Sequence, residues 1–236
     1  MTLPLFYEPD LSEHAGLIQL SEDTVRHCLQ VLRMREGSSI EITNGRGLSA
    51  TGTLLISSKK SAQATCTNFK HHNRSTTELT LCLSPLKNPQ RLEWLLEKAT
   101  EIGMQAFIPI ICQRTEHSKF RKERLQGILV AAMLQSRQYF LPELHDPIPF
   151  HALMAMPALP QQWIAHCANG DKKVLALFQL QGKGRMLIGP EGDFTSEEIN
   201  TAISHHYQPV SLGNTRLRTE TAGLVAVTLL LQSSNI

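Results

Sequence analysis

Two short glycine loops are the residues of this chain whose types and spacing point to chemistry. Gly189-Pro190-Glu191-Gly192 follows the apolar run Met186-Leu187-Ile188, and Gly213-Asn214-Thr215-Arg216 follows Pro209 to Leu212. An apolar run stopped by Gly and Pro reads as a buried strand ending in a tight loop. Glycine lets backbone approach a ligand closely, and Pro190 fixes one φ angle. Loops at the ends of buried strands are where open α/β sheets bind ligands. Between the loops, Thr195 and Glu198 match a capping box, which predicts a helix starting near Ser196. A final helix is expected from about Glu220, with Leu224, Val227 and Leu230-Leu231 on its apolar face. Arg218 joins the second loop to that helix, so its side chain can face a cleft. An ion pair between Arg218 and Glu220 is the competing reading.

The elements that must position these loops alternate along residues 73–236. Leu79 to Leu83 reads as a strand, and Asn88-Pro89 starts a helix as N-cap and first helical residue. Leu92, Leu95, Leu96, Ala99 and Ile102 share one face, and Gly103 ends the helix. Ala106 to Ile111 is a strand. Phe120 to Tyr139 reads as a helix with Leu125, Ile128, Leu129 and Ala132 inward. Further strands are expected at Gln162 to Cys167 and Val174 to Leu180. Strands alternating with helices predict an α/β layer with a mostly parallel sheet.

Residues 1–72 read differently. Ser21 caps a helix to Arg33, with Glu22 and Asp23 in its first turn. Strands follow at Ser39 to Thr43, Leu48 to Ser57 and Gln63 to Phe69, the first two joined by the hairpin signal Asn44-Gly45. Short strands without long helices between them predict a small β-barrel. Polar residues 70–77 read as the linker.

Composition narrows the function classes. At 236 residues with 42% hydrophobic and 19% charged, the chain can bury a core, and disorder is excluded. No apolar run reaches membrane-spanning length and no signal peptide is evident, so a cytoplasmic protein is expected. Cys28, Cys66, Cys82, Cys112 and Cys167 form no C-x-x-C pair, so buried free thiols are expected and neither a metal site nor a redox motif is supported. A nucleotide-hydrolysing phosphate loop and a G-x-S-x-G elbow are both missing. The net charge of +2 says little about nucleic acid. Residues 113–140, however, carry Arg114, Lys119, Arg121, Lys122, Arg124 and Arg137 against Glu116 and Glu123, a basic strip that could face phosphate.

Ile188-Gly189-Pro190-Glu191-Gly192, Leu212-Gly213 and Leu217-Arg218-Thr219-Glu220-Thr221-Ala222, in this order, resemble the SPOUT or α/β-knot RNA methyltransferases. The match is best to the RsmE family, which methylates N3 of a uridine in 16S ribosomal RNA. Residues 96–103, Gln113-Arg114-Thr115, Gln135-Ser136-Arg137 and residues 31–37 extend the likeness over nearly the whole chain. Asp193 departs from the pattern, standing where the family usually has a small glycine. Asn88-Pro89 and residues 214–217 also depart from it.

The resemblance implies an N-terminal PUA-like β-barrel for RNA binding in residues 1–72. It implies a knotted SPOUT α/β domain in residues 73–236, with the site completed across a homodimer. It implies S-adenosylmethionine as cofactor, held by Leu177, Gly189, Pro190, Glu191, Gly192, Leu212, Gly213 and Leu217. Arg218 would orient the base or stabilise its anion, and Glu191 or Glu220 would accept the proton. Arg33 and Arg35 would contact RNA in the small ribosomal subunit, and Arg114 and Arg137 would reach that RNA or the site of the partner protomer. A methyltransferase for another RNA atom, such as a ribose 2′-hydroxyl, and a non-catalytic RNA-binding module are the alternatives.

Overall fold

Period-two burial in the first part of the chain and buried apolar runs in the second produce two different sheets. The structure, a computed structural model, describes residues 2–116 and 120–232. It divides into two units, one of residues up to 74 with 133–141, the other of 75–132 with 142 onward.

In the first unit, β1 (Leu5–Tyr7), β2 (Leu17–Gln19), β3 (Ser39–Thr43), β4 (Leu48–Ser58) and β5 (Ser61–His71) form a sheet in the order β1-β3-β4-β5-β2. Only the β1–β3 pair is parallel. Ile40, Ile42, Leu54, Ala62 and Ala64 are buried between this sheet and α1 (Glu22–Arg26). Ser21 caps α1 as expected, its Oγ accepting from the Thr24 N–H at 3.3 Å. The α-helix does not run to Arg33. Residues 27–31 widen into a π turn, where Leu32 N–H donates to the His27 carbonyl, and Arg33 at φ 53° leaves the helix. At the expected hairpin, Asn44 Oδ1 accepts from the N–H groups of Arg46 and Leu48, with Gly45 and Gly47 at positive φ. The loop thus takes the four residues 44–47, as the strand bounds predict.

Residues 133–141 belong to this unit for a packing reason. A Cβ on Gly47 would collide with the Phe140 ring, Tyr139 donates to Glu41 at 2.8 Å, and the rings of His72 and Tyr139 stack.

The second unit is built from β6 (Glu78–Leu83), α2 (Pro89–Ile102), β7 (Ala106–Ile111), α3 (Lys122–Gln135, whose last residues lie in the first unit), β8 (Glu143–Leu144), β9 (Ile148–Pro149) and α4 (Phe150–Met154). β10 (Gln161–Ala165), β11 (Lys173–Val174), β12 (Lys183–Ile188), α5 (Ser196–Ser204), β13 (Gln208–Ser211) and α6 (Thr219–Gln232) follow. Its sheet is parallel throughout, in the order β11-β13-β10-β12-β6-β7-β8, with β9 paired to β7. β6 and β12 lie at the centre, covered on both faces, and their apolar residues Leu79, Leu81, Met186 and Leu187 are fully buried. Asn88 accepts from Gln90 N–H at 2.9 Å, and Gly103 closes α2 at φ 104°. α6 packs on α2 and β6 at Gly223, where a Cβ would fall 2.9 Å from Leu83 and 3.1 Å from Leu95.

Two further expectations need correction. The strand expected over Val174 to Leu180 is only Lys173–Val174, because this edge strand pairs with short β13 alone before a 3-10 turn at Leu175–Leu177. Helix α3 stops at Gln135 rather than Tyr139, where Arg137 at φ 56° turns the chain. The helix α4 is too short for its periodicity to be read from sequence.

Candidate active site

Sheet order brings the carboxyl ends of β13, β10 and β12 side by side, and the loops that follow them enclose a cleft of about 400 Å³. Gly189, Pro190 and Glu191 line it from the first loop, and Leu212, Gly213 and Leu217 from the second. Six of the eight residues expected to hold a ligand therefore meet in one cavity. Gly192 stands behind it, with its carbonyl turned to Arg114. Leu177 is 81% exposed and lies outside the cavity lining.

The first loop is braced from several sides. A Cβ on Gly189 would sit 3.0 Å from the Phe194 ring and 3.1 Å from its backbone nitrogen, so any side chain here would press on Phe194. Asp193 closes a turn by donating its N–H to the Pro190 carbonyl at 2.9 Å, and it sits at φ 64°. Asp is among the few non-glycine residues that tolerate this region. Its Oδ1 accepts from the Phe194 N–H at 2.9 Å and its Oδ2 from the Cys167 N–H at 2.8 Å. The residue that departs from the family's glycine thus keeps the glycine-like backbone and adds a tie to the neighbouring loop. Arg114 donates to the Gly192 carbonyl at 2.9 Å. Glu198 completes the expected capping box and also accepts from the Gln113 N–H at 2.8 Å.

A third wall, the loop after β10, escaped the sequence reading. Ala165, His166, Cys167 and Lys172 line the cleft, with Lys172 Nζ donating to the His166 and Ala168 carbonyls at 2.9 Å. Burial, then the nearby Lys172 charge, holds the His166 pKa below its ordinary value. Cys167 is exposed, unlike the other four cysteines, which corrects the expectation of buried thiols throughout. The sequence signal was Asn169-Gly170, a turn closing a strand. Only the strand order reveals that this turn lies between the two glycine loops.

Beside the cleft is a second recess of about 330 Å³, lined by Arg91, Glu191, Arg216, Leu217, Arg218 and Thr219. Four of these six residues, Glu191, Arg216, Leu217 and Thr219, line both cavities. Arg218 is exposed and makes no side-chain hydrogen bond or ion pair among the described residues. Its expected competitor, a pair with Glu220, is not formed. Glu220 is buried and faces Arg91 Nε at 3.6 Å, with its other oxygen lacking a partner. Sequence could not supply Arg91, which comes from α2, more than a hundred residues earlier.

A glycine-walled cleft thus adjoins an arginine recess. A family model described as an RNA methyltransferase domain matches residues 73–231, and one described as an RNA methyltransferase PUA domain matches residues 20–65. The chain belongs to the RNA methyltransferase family. It is 27% identical over 229 residues to ribosomal RNA small subunit methyltransferase E of Bacillus subtilis, covering 91% of this chain and 90% of that one. A probable rRNA methyltransferase from Porphyromonas gingivalis is 33% identical with a TM-score of 0.88, covering 95% of both chains. Ribosomal RNA small subunit methyltransferase E of Neisseria gonorrhoeae, in a structure bound to S-adenosylmethionine, is 31% identical with a TM-score of 0.85 and the same coverage.

In this methyltransferase the arginines expected at RNA divide into two groups. Arg33 and Arg35 are exposed and carry no side-chain bond among the described residues. Arg114 and Arg137 are engaged within the chain, Arg114 at the first loop and Arg137 with the Leu3 carbonyl at 3.0 Å and Glu41 at 2.6 Å. The basic strip is also less basic than its sequence window suggested. Lys122 pairs with Asp146 at 2.8 Å and Arg124 with Glu93, acids that lie outside that window. Lys119 lies outside the described residues.

Proposed function

We propose that this methyltransferase transfers the methyl group of S-adenosylmethionine to N3 of a uridine in 16S ribosomal RNA of the small subunit. The observation that carries this reading is the junction of the two cavities at Glu191, Arg216, Leu217 and Thr219. The residues present suit the cofactor. The cleft falls in the usual size range of small-molecule sites, roughly 300–1,000 Å³. Ile188, Val210, Leu212 and Leu217 offer apolar walls, and Gly213 at φ 139° leaves open space beside its backbone. Bound there, the cofactor supplies the electrophilic methyl carbon.

The chain's own task is to orient the acceptor and manage its charge. Uracil N3–H is a weak acid, so methylation requires loss of that proton and passes through imide-anion character. Arg218, with Arg216 and Arg91 beside it, stabilises that anion, as preorganised donors do where charge develops. Glu191, at the junction and open to solvent, accepts the proton. Glu220 serves instead to hold Arg91.

In this reading residues 1–72 are the RNA-binding PUA-like domain, with Arg33 and Arg35 on its phosphate contacts. Residues 73–236 are the methyltransferase domain. Its C-terminal segment forms the knot that the family resemblance implies. The protein works in the cytoplasm as a homodimer, and the exposed Val174 and Leu177 are apolar groups that a second copy would cover.

The test is to incubate the protein with methyl-labelled S-adenosylmethionine and either free 16S RNA or assembled small subunits, then identify the labelled nucleoside. N3-methyluridine is expected. Label on a ribose 2′-hydroxyl would replace this reading with the other enzyme class. Cofactor binding without any transfer would favour an RNA-binding module.

A further inference from the structure

The carboxyl ends of the parallel strands hold the cleft, whereas the amino ends hold a smaller recess of about 110 Å³. Arg185, near the start of β12, lines it and is only 4% exposed, while Ala158, Ser204, His205 and His206 at its rim are exposed. The guanidinium has no carboxylate within 4.0 Å among the described residues. Its hydrogen bonds go to neutral oxygens, with Nη1 donating to Gln162 at 3.3 Å and Tyr207 at 3.1 Å, and Nη2 to the Pro157 carbonyl at 3.5 Å. Nε is buried without a partner.

Two weak acids feel the Arg185 charge, and neither supplies a negative one. Burial pushes the Tyr207 phenol and the Cys82 thiol each up to about 12. Arginine cannot shed its proton, and burying an uncompensated charge is expensive. The recess is therefore a buried cation with room beside it and no anion.

We propose that the recess binds a free inorganic oxyanion of the phosphate or sulfate class, with Arg185 as its counter-ion. The space is several times the roughly 30 Å³ that one water occupies in the liquid, enough for one tetrahedral ion. The planar guanidinium fork matches such an oxyanion. An RNA backbone phosphate fits less well, because Arg185 is too recessed for a phosphodiester carrying two riboses. This site stands apart from methyl transfer and does not depend on the cofactor assignment.

The experiment is thermal unfolding of the full chain in sodium phosphate against sodium chloride at matched ionic strength, for the wild type, Arg185→Met and Ala158→Phe. Ligand linkage predicts a Tm about 2–4 °C higher in phosphate for the wild type. Both variants should lack that excess, one through loss of the charge and the other through a filled recess. General salting effects of phosphate would raise all three alike. An equal excess in all three, or none in the wild type, overturns the proposal. Should Arg185→Met not fold, Ala158→Phe decides alone, since it leaves Arg185 in place. A uridine dinucleotide monophosphate that raises Tm as much as phosphate would reassign the recess to RNA backbone and overturn the free-ion reading.

Discussion

The two glycine loops look equivalent in sequence but are held in opposite ways. Residues 189–193 are fixed by the Phe194 ring, Arg114, the Asp193 tie to Cys167 and the capping box of α5. Residues 213–216 are exposed, and the Ser211 hydroxyl makes the side-chain bonds to Gly213. Gly189 is a glycine because neighbours crowd it. Gly213 is one because its backbone sits at φ 139° in open space. One loop is a rigid wall and the other an adaptable one, so equivalent substitutions should fail differently.

Gly213→Val should have the largest effect on the site. A β-branched residue is strained at this φ, and an exposed loop can relieve the strain by changing shape without unfolding the sheet. We expect S-adenosylmethionine affinity to fall by about 100-fold or more, the equivalent of roughly 3 kcal/mol. Tm should stay within about 2 °C of wild type. Calorimetric titration and thermal unfolding check both. A folded variant with wild-type affinity would remove the second loop from the cleft wall.

Arg218→Lys should rank next. Lysine keeps the charge but loses the planar fork that fixes a base edge. Single-turnover methylation should slow by about 100-fold, as when one preorganised charge-stabilising donor is lost, with cofactor affinity unchanged. Because Glu220 already pairs with Arg91, stability should not move. An active but less stable variant would refute a catalytic Arg218.

Gly189→Val carries the contrast to the braced loop. The side chain would push on the Phe194 ring, which is buried, and on the Phe194 backbone nitrogen. Overpacking of this kind costs about 1–3 kcal/mol, so Tm should drop where Gly213→Val leaves it alone. Equal melting of the two variants would dissolve the distinction between the loops.

Local signals made much of this legible. The capping box at Thr195 and Glu198, the Asn88-Pro89 start and the Gly103 stop each satisfy backbone groups within a few residues, so sequence carries them directly. The buried runs at β6 and β12 read from their apolar residues, which strands covered on both faces require. Strand order is not local. The third cleft wall at His166 and Cys167, the Arg91–Glu220 pair and the acids that neutralise Lys122 and Arg124 all depend on which strands and helices become neighbours. Local charge counting therefore overstated the basic strip, and Leu177 lies outside the cleft lining of this chain.

Arg114 gives the smallest expected effect and the sharpest division between sequence and structure. Its motif, Gln113-Arg114-Thr115, carried the expectation of an RNA contact. In the fold the motif is a brace, with Gln113 bound to Glu198, Thr115 Oγ1 accepting from the Cys112 N–H at 2.8 Å, and Arg114 donating to the Gly192 carbonyl. A charged hydrogen bond is worth about 1.5–3 kcal/mol when buried. This one is exposed, so its loss should cost nearer about 1 kcal/mol after solvent screening. Arg114→Ala should therefore weaken cofactor binding by roughly five-fold and leave RNA affinity unchanged. The Asp193 bridge to Cys167 and the Phe194 packing remain in that variant, which is why the loss stays small. Titrating the variant with S-adenosylmethionine and, separately, with 16S RNA decides between the two roles. Weaker RNA binding with unchanged cofactor affinity would return Arg114 to the RNA surface and leave the first loop braced by Asp193, Phe194 and the capping box of α5.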